Sequence, residues 1–111
     1  MATVRFLKYN CLVELQHYVN GRIAIRLTNA DVITDDGYPI SPGMETIAIA
    51  TINIPEAPVP DNHVIIKDYS ENQGMYQTLL DAGIIGKKIA DLQHGFVTSY
   101  ICPLLIPITD E

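Results

Sequence analysis

His63-Val64-Ile65-Ile66-Lys67-Asp68-Tyr69 runs straight into Ser70-Glu71-Asn72-Gln73 and then Gly74-Met75-Tyr76-Gln77-Thr78-Leu79-Leu80-Asp81-Ala82-Gly83. The first seven residues read as a short strand built on β-branched side chains, which are stiff at the first torsion and suit a pleated surface. The rest reads as a capped amphipathic helix from about Ser70 to Ala82. Ser70 with Gln73 matches a capping box, and Asn72 competes as the cap because Gly74 weakens the first turn. Met75, Tyr76, Leu79 and Leu80 fall on one stripe at helical spacing, and Gly83 suits the left-handed position just past the end. A Met/Tyr stripe of this kind is core packing before it is a cofactor site.

Working back from that unit, Asn20-Gly21 is the strongest short turn signal in the chain. A two-residue loop would pair Val19 with Arg22 and Leu15 with Arg26, mixing apolar and charged side chains on both faces. A three-residue loop, Val19-Asn20-Gly21, pairs His17 with Ile23, Leu15 with Ile25 and Val13 with Leu27. The other face then carries Tyr18 with Arg22, Gln16 with Ala24, and the opposite-charge pair Glu14 with Arg26. This register requires Gly21 to be left-handed. It buries a Val13-Leu15-His17 face.

Asn29 to Gly43 reads as a loop, with turn signals at Asp35-Asp36-Gly37, Pro39 and Pro42. Met44 to Ile54 is apolar on both faces and is expected as a third strand in a central position. Pro55 to Asn62 holds three prolines and reads as an extended connector inside the domain. His63 to Tyr69 is the fourth strand and Phe96 to Cys102 the last. The expected fold is α+β. An antiparallel sheet of about five strands carries one amphipathic helix on one face, in a single domain spanning 1–111. Leu15, Ile25, Ile49, Ile65, Leu79, Leu80 and Val97 are the expected core.

Composition agrees with a sheet-rich domain: 111 residues, 48% hydrophobic, sixteen Ile and no Trp. A chain of this length buries roughly two-thirds of its unfolded surface and needs no staples. Thirteen acidic against seven basic side chains give a formal net charge of −6, which disfavours direct nucleic-acid binding and favours a basic partner. The apolar run Ile101 to Ile108 is broken by Pro103 and Pro107 and is too short to span a membrane. No signal-peptide pattern precedes Phe6. A soluble, cytoplasmic protein is expected.

Catalytic chemistry is sought and not found. Cys11 and Cys102 are too few and too far apart for a zinc pattern or a disulfide scaffold, and read as small core residues. His17, His63 and His94 show no metal-ligand spacing. His17 reads as a satisfied core histidine and His94, before Gly95, as part of a turn. The seven Gly are scattered turn and cap residues, with no phosphate-cradling loop. Asp35-Asp36 and Asp110-Glu111 are paired carboxylates whose simplest account is a solvated turn and a tail. No enzyme activity, cofactor or metal is expected.

Three segments in order, Tyr18 to Leu27, Thr46 to Pro55 and Ile66 to Met75, carry a resemblance. They resemble a family of short uncharacterised bacterial proteins encoded on conjugative elements, plasmids and phages. The likeness continues into Leu79 to Ile85, Gly95-Phe96-Val97 and Ile101 to Leu104. Asp31 to Gly43 departs from it as an insertion-like stretch. The resemblance brings no catalytic residues. It implies a non-enzymatic binding protein of a mobile element, an anti-CRISPR or related anti-defence inhibitor that binds a host nuclease. The alternative is a small homo-oligomeric accessory of conjugation or plasmid maintenance. Candidate partner-binding residues are Asp35, Asp36 and Tyr38 in the loop and Asp68 and Glu71 beside Tyr69. Acidic side chains around an exposed Tyr suit a basic protein groove. Asp68 and Glu71 also have a simpler account, as acids favoured at a helix N-terminus.

Overall fold

Seven strands and one short helix form in the computed structural model, which describes residues 2–31, 37, 39, 41, 43 and 45–107. The strands are β1 (Thr3–Phe6), β2 (Tyr9–His17), β3 (Ile23–Asn29), β4 (Thr46–Ile49), β5 (His63–Ile66), β6 (Ala90–His94) and β7 (Val97–Pro103); the helix is α1 (Met75–Asp81). They make two antiparallel sheets, ordered β1-β2-β3-β4 and β5-β7-β6. The α+β class holds, while the expected single five-stranded sheet is replaced by two sheets.

The hairpin register matches the sequence reading residue for residue. His17 faces Ile23, Leu15 faces Ile25 and Val13 faces Leu27, with Glu14 opposite Arg26. Gly21 sits at φ +84° and donates its N–H to the Tyr18 carbonyl at 2.8 Å, closing the turn. Only a residue without a Cβ reaches that conformation without strain. The buried face is shorter than expected, however. Val13 is buried and Leu15 half-buried, but His17 is exposed because β2 outruns the core at that end.

The two sheets part at one corner. After Ile49 the chain leaves β4, and the Ala50 N–H donates to the Ile25 carbonyl at 2.8 Å. Ala50 then accepts from the Lys67 N–H at 2.9 Å, and Ile52 donates to the Ile65 carbonyl at 3.0 Å. Residues 50–52 thus belong to both sheets in turn. Thr51 makes the switch possible: its buried hydroxyl accepts the Ile25 N–H at 3.2 Å and bonds the Tyr18 hydroxyl at 2.9 Å. A side chain supplies the partner that a continuing strand would have supplied, so the Ile25 N–H is not left orphaned at the corner. The expected central strand, Met44 to Ile54, is therefore a four-residue ladder followed by a corner, and Met44 lies outside the described residues. Ile49, expected in the core, is 41% exposed at that bend.

One core lies between the sheets and α1. Phe6, Cys11, Val13, Ile25, Leu27, Val64, Ile66, Met75, Leu79, Ile85 and Cys102 pack there, with Leu80, Tyr76 and Leu15 half-buried against them. The helical stripe faces this core as expected. Each large apolar side chain removed from water contributes about 1.5–3 kcal/mol. A second, smaller core covers the opposite face of the three-stranded sheet. There Ile52 and Ile54, with Ala57 and Val59 from the proline-rich connector, lie on Ile65, Ile101 and Leu92. Arg22 fastens that connector, donating to the carbonyls of Ile54 (3.1 Å), Pro55 (3.2 Å) and Ala57 (2.6 Å).

The helix differs from its expected bounds. A single 3-10 turn, Ser70–Asn72, precedes α1, and the two are separated by Gly74 at φ +92°. The Ser70 capping box does not form: Ser70 itself is left-handed at φ +56°, and no side chain of either cap residue makes a cap bond. Asn72 is buried and donates to the Ile49 carbonyl at 2.6 Å, which commits it to the sheet corner. The cap comes instead from Asp68, whose Oδ1 accepts the Tyr76 N–H at 2.8 Å. Gly83 holds φ +74° past the end, as its position predicts. The fourth strand stops at Ile66, short of Tyr69, because the chain turns toward this cap. The last strand is Val97–Pro103, with Val97 half-buried and not fully core. Among the described residues no helix is long and apolar enough to cross a membrane.

Candidate partner-binding surface

Asp35, Asp36 and Tyr38 lie outside the described residues; the base of their loop lies inside them. Asn29, at the end of β3, holds that base from both sides. Its backbone N–H donates to the Glu45 carbonyl at 2.8 Å and its carbonyl accepts from Gly43 at 2.9 Å. Its side chain donates to Glu45 Oε1 at 2.9 Å and accepts the Asp31 N–H at 2.9 Å. Four bonds converge on one residue that is 4% exposed. A Cβ at Gly43 would meet the Glu14, Thr28 and Leu12 side chains of β2 and β3 at ordinary contact distance. Beneath it the Glu14 carboxylate is 3.4 Å from the Arg26 guanidinium, which also donates to the Thr46 hydroxyl at 2.7 Å. The Glu14–Arg26 contact balances charge without hydrogen-bond alignment, and among the described residues the buried Thr28 hydroxyl and Glu14 Oε2 have no hydrogen-bond partner.

Asp68 and Glu71 stand together at the strand-to-helix junction. Asp68 is half-buried and committed to the α1 cap. Glu71 is exposed and paired with Lys67, and this hydrogen bond holds its carboxyl below the ordinary carboxylate value. Lys67 also lies 5.4 Å from the Tyr69 ring centroid. Tyr69 in turn meets His94 edge-on at 5.9 Å. The junction therefore touches the β6–β7 hairpin, a contact the sequence reading missed.

That hairpin ends in Gly95-Phe96, a two-residue loop joining the paired His94 and Val97. Gly95 has φ +63° while Phe96 stays at negative φ, the arrangement of a type II′ turn. The signal was present in the sequence, since Gly at the first central position marks this turn. Three side-chain bonds brace the hairpin: His94 Nε2 to Ser99 Oγ at 2.7 Å, the Thr98 hydroxyl to Gln93 Oε1 at 2.8 Å, and Gln93 Nε2 to the Gly95 carbonyl at 3.2 Å. Phe96, at the tip, is 106% exposed.

His94 beside Ser99 is the one hydroxyl–imidazole pair described, but Ser99 has no exposed surface for a substrate to reach. Burial pushes the Cys102 thiol up to about 12, and burial likewise raises Cys11, so neither supplies a thiolate at neutral pH. Among the described residues no three His, Cys, Asp or Glu side chains gather as a metal site. A shallow cleft of about 200 Å³ lies between Asn20, Arg22, Val59, Asp61, Asn62 and His63. Its Arg22 is occupied by the three connector carbonyls. No protein-family model, no curated protein and no solved structure matches the chain.

Proposed function

We propose that this protein is a non-enzymatic binding protein of a mobile genetic element or phage, an anti-CRISPR or related inhibitor that binds a host defence nuclease in the cytoplasm. The observation that carries the reading is the Asn29 clasp, which presents the base of an acidic, tyrosine-containing loop from a fixed position. A loop held at its base loses less freedom on binding than a free one. The formal net charge of −6 sets the sign of the partner: a groove lined with Lys and Arg, of the kind that otherwise holds nucleic acid. Asp35, Asp36, Tyr38 and Glu71 are the proposed contact residues, and Asp68 contributes through the junction it caps. The resemblance to short proteins of conjugative elements and phages supports the same reading.

A second reading has one observation in its favour. Among the described residues β6 is the last strand of the three-stranded sheet, an edge that strand addition from another copy would use in a homo-oligomeric accessory of conjugation or plasmid maintenance. A pull-down from host lysate separates the two. Recovery of a CRISPR nuclease supports the inhibitor; recovery of only itself or of transfer-machinery proteins overturns it.

A further inference from the structure

We infer that Asn20-Gly21, at the tip of the β2–β3 hairpin, is a self-modification site where Asn20 converts to isoaspartate without an enzyme and the product loosens the connector layer. The Gly21 backbone nitrogen attacks Asn20 Cγ, forming a C–N bond and giving its proton to solvent. Nδ2 leaves as ammonia, and a succinimide ring closes. Water then opens the ring at either carbonyl. One opening leaves aspartate; the other leaves isoaspartate, with the main chain routed through the former side chain. Water is the sole co-reactant and nothing is oxidised or reduced.

Of the six Asn in the chain, Asn20 alone precedes a Gly. The space where a Cβ would stand on Gly21 is empty, so its nitrogen is unshielded. Both residues are exposed, and water reaches them. The Arg22 N–H donates to Asn20 Oδ1 at 3.2 Å, which folds the side-chain amide back along the turn over the Gly21 peptide. The same donor stabilises the negative charge that Oδ1 gathers as the nitrogen adds. Two hydrogen bonds hold the step in check. The Gly21 N–H donates to the Tyr18 carbonyl at 2.8 Å, and Asn20 Nδ2 donates to Asn53 Oδ1 at 3.1 Å. Both lie at a tip that outruns the core, where the chain opens locally before it unfolds.

The consequence follows from what stands next in the chain. Isoaspartate adds a backbone carbon between positions 20 and 21 of a tight turn. Arg22, one residue on, fastens the connector through the carbonyls of Ile54, Pro55 and Ala57. A lengthened turn moves Arg22 against those three acceptors, and the hold on Ala57 and Val59 over Ile65 and Ile101 weakens. The Asn20–Asn53 bond is lost with the amide that donated it.

The test incubates the full chain at mildly alkaline pH, folded and separately unfolded in guanidinium chloride, with peptide mapping that separates aspartate from isoaspartate. Conversion should fall on Asn20 alone and quicken as pH rises, because the attacking nitrogen must lose its proton. The folded chain should convert about 30-fold more slowly than the unfolded one, since two hydrogen bonds worth about fivefold each must open first. Asn53→Ala should quicken the folded rate about fivefold and leave the unfolded rate unchanged. Aged wild-type protein should be cut faster by protease in residues 53–60. Asn20→Ser keeps an acceptor for the Arg22 N–H but has no amide to lose, so it should age without that change. A folded chain whose Asn20 stays intact well past the 30-fold interval, or conversion spread over the other Asn, would overturn the site. An Asn53→Ala rate equal to wild type would overturn the check on it. Equal cutting of aged wild type and aged Asn20→Ser would overturn the link to the connector.

Discussion

Removing the three hydrogen bonds from Arg22 to the connector should uncover the second core. Arg22→Met keeps an unbranched stem of similar length and deletes every donor. Charge-assisted bonds contribute about 1.5–3 kcal/mol each when buried. Here two of the three are half-buried and one is exposed, so water replaces part of each loss. The expected destabilisation is about 3 kcal/mol, out of the roughly 5–15 kcal/mol that holds a domain of this size. With a urea slope near 1.5 kcal/mol/M, the midpoint should fall by about 2 M at unchanged slope. Arg22→Lys should lose about half as much, because one ammonium cannot reach three diverging carbonyls. Proteolysis should concentrate in residues 53–60 in the Met variant, since Ile54, Ala57 and Val59 would no longer be held on Ile65 and Ile101. A midpoint shift below about 0.3 M would refute the claim that Arg22 fastens this layer.

Asp68→Ala should cost about 1 kcal/mol, seen as a melting decrease of about 4 °C, while Asp68→Asn keeps the acceptor for the Tyr76 N–H and should cost less. Cys11 and Cys102 should resist a thiol reagent at pH 8 until the protein unfolds, because both are buried with raised pKa values. The Cys102 value of about 12 lies above its ordinary 9.0, so the unfolded thiol ionises first. Its contribution is complete below pH 9 and is lost as pH rises toward 12, at about 1.4 kcal/mol per unit. Cys102→Ala should remove that slope from urea midpoints measured across this range. Asp35→Lys with Asp36→Lys should leave melting nearly unchanged and weaken partner binding, most at low salt where attraction is least screened. Unchanged affinity would exclude the loop as a contact.

How far the sequence carried differs from element to element, for physical reasons. The β2–β3 register was legible because charge pairing and the Asn20-Gly21 turn admit one arrangement that separates apolar from polar faces. The helical stripe was legible because Met75, Tyr76, Leu79 and Leu80 leave no other face for the core. β1 was missed because its Thr3-Val4-Arg5-Phe6 alternation lasts only four residues, too few to stand out, and its turn uses Leu7 at φ +55°, a conformation without a sequence signature. β6 was missed because an edge strand reading Ala90-Asp91-Leu92-Gln93-His94 is mostly exposed. The parting of the sheets turns on one buried hydroxyl, Thr51, in a run that otherwise looks like uninterrupted strand. At the candidate surface, the sequence allows Asp68 both as a contact and as a helix-terminal acid, and the structure shows it capping α1. The line of contacts joining Glu71, Lys67, Tyr69 and His94 spans residues 67–94, and its Tyr69–His94 link depends on tertiary pairing that no local pattern encodes.

We propose that the protein acts by occupying a basic protein surface and not by turnover. Titrating purified protein into a guide-loaded CRISPR effector nuclease, with target cleavage as the readout, tests it most directly. Inhibition should rise linearly and saturate at a fixed ratio, one chain per binding site, and weaken as salt is added. Inactivation of many nuclease molecules by each chain, or full cleavage at large excess, would contradict it.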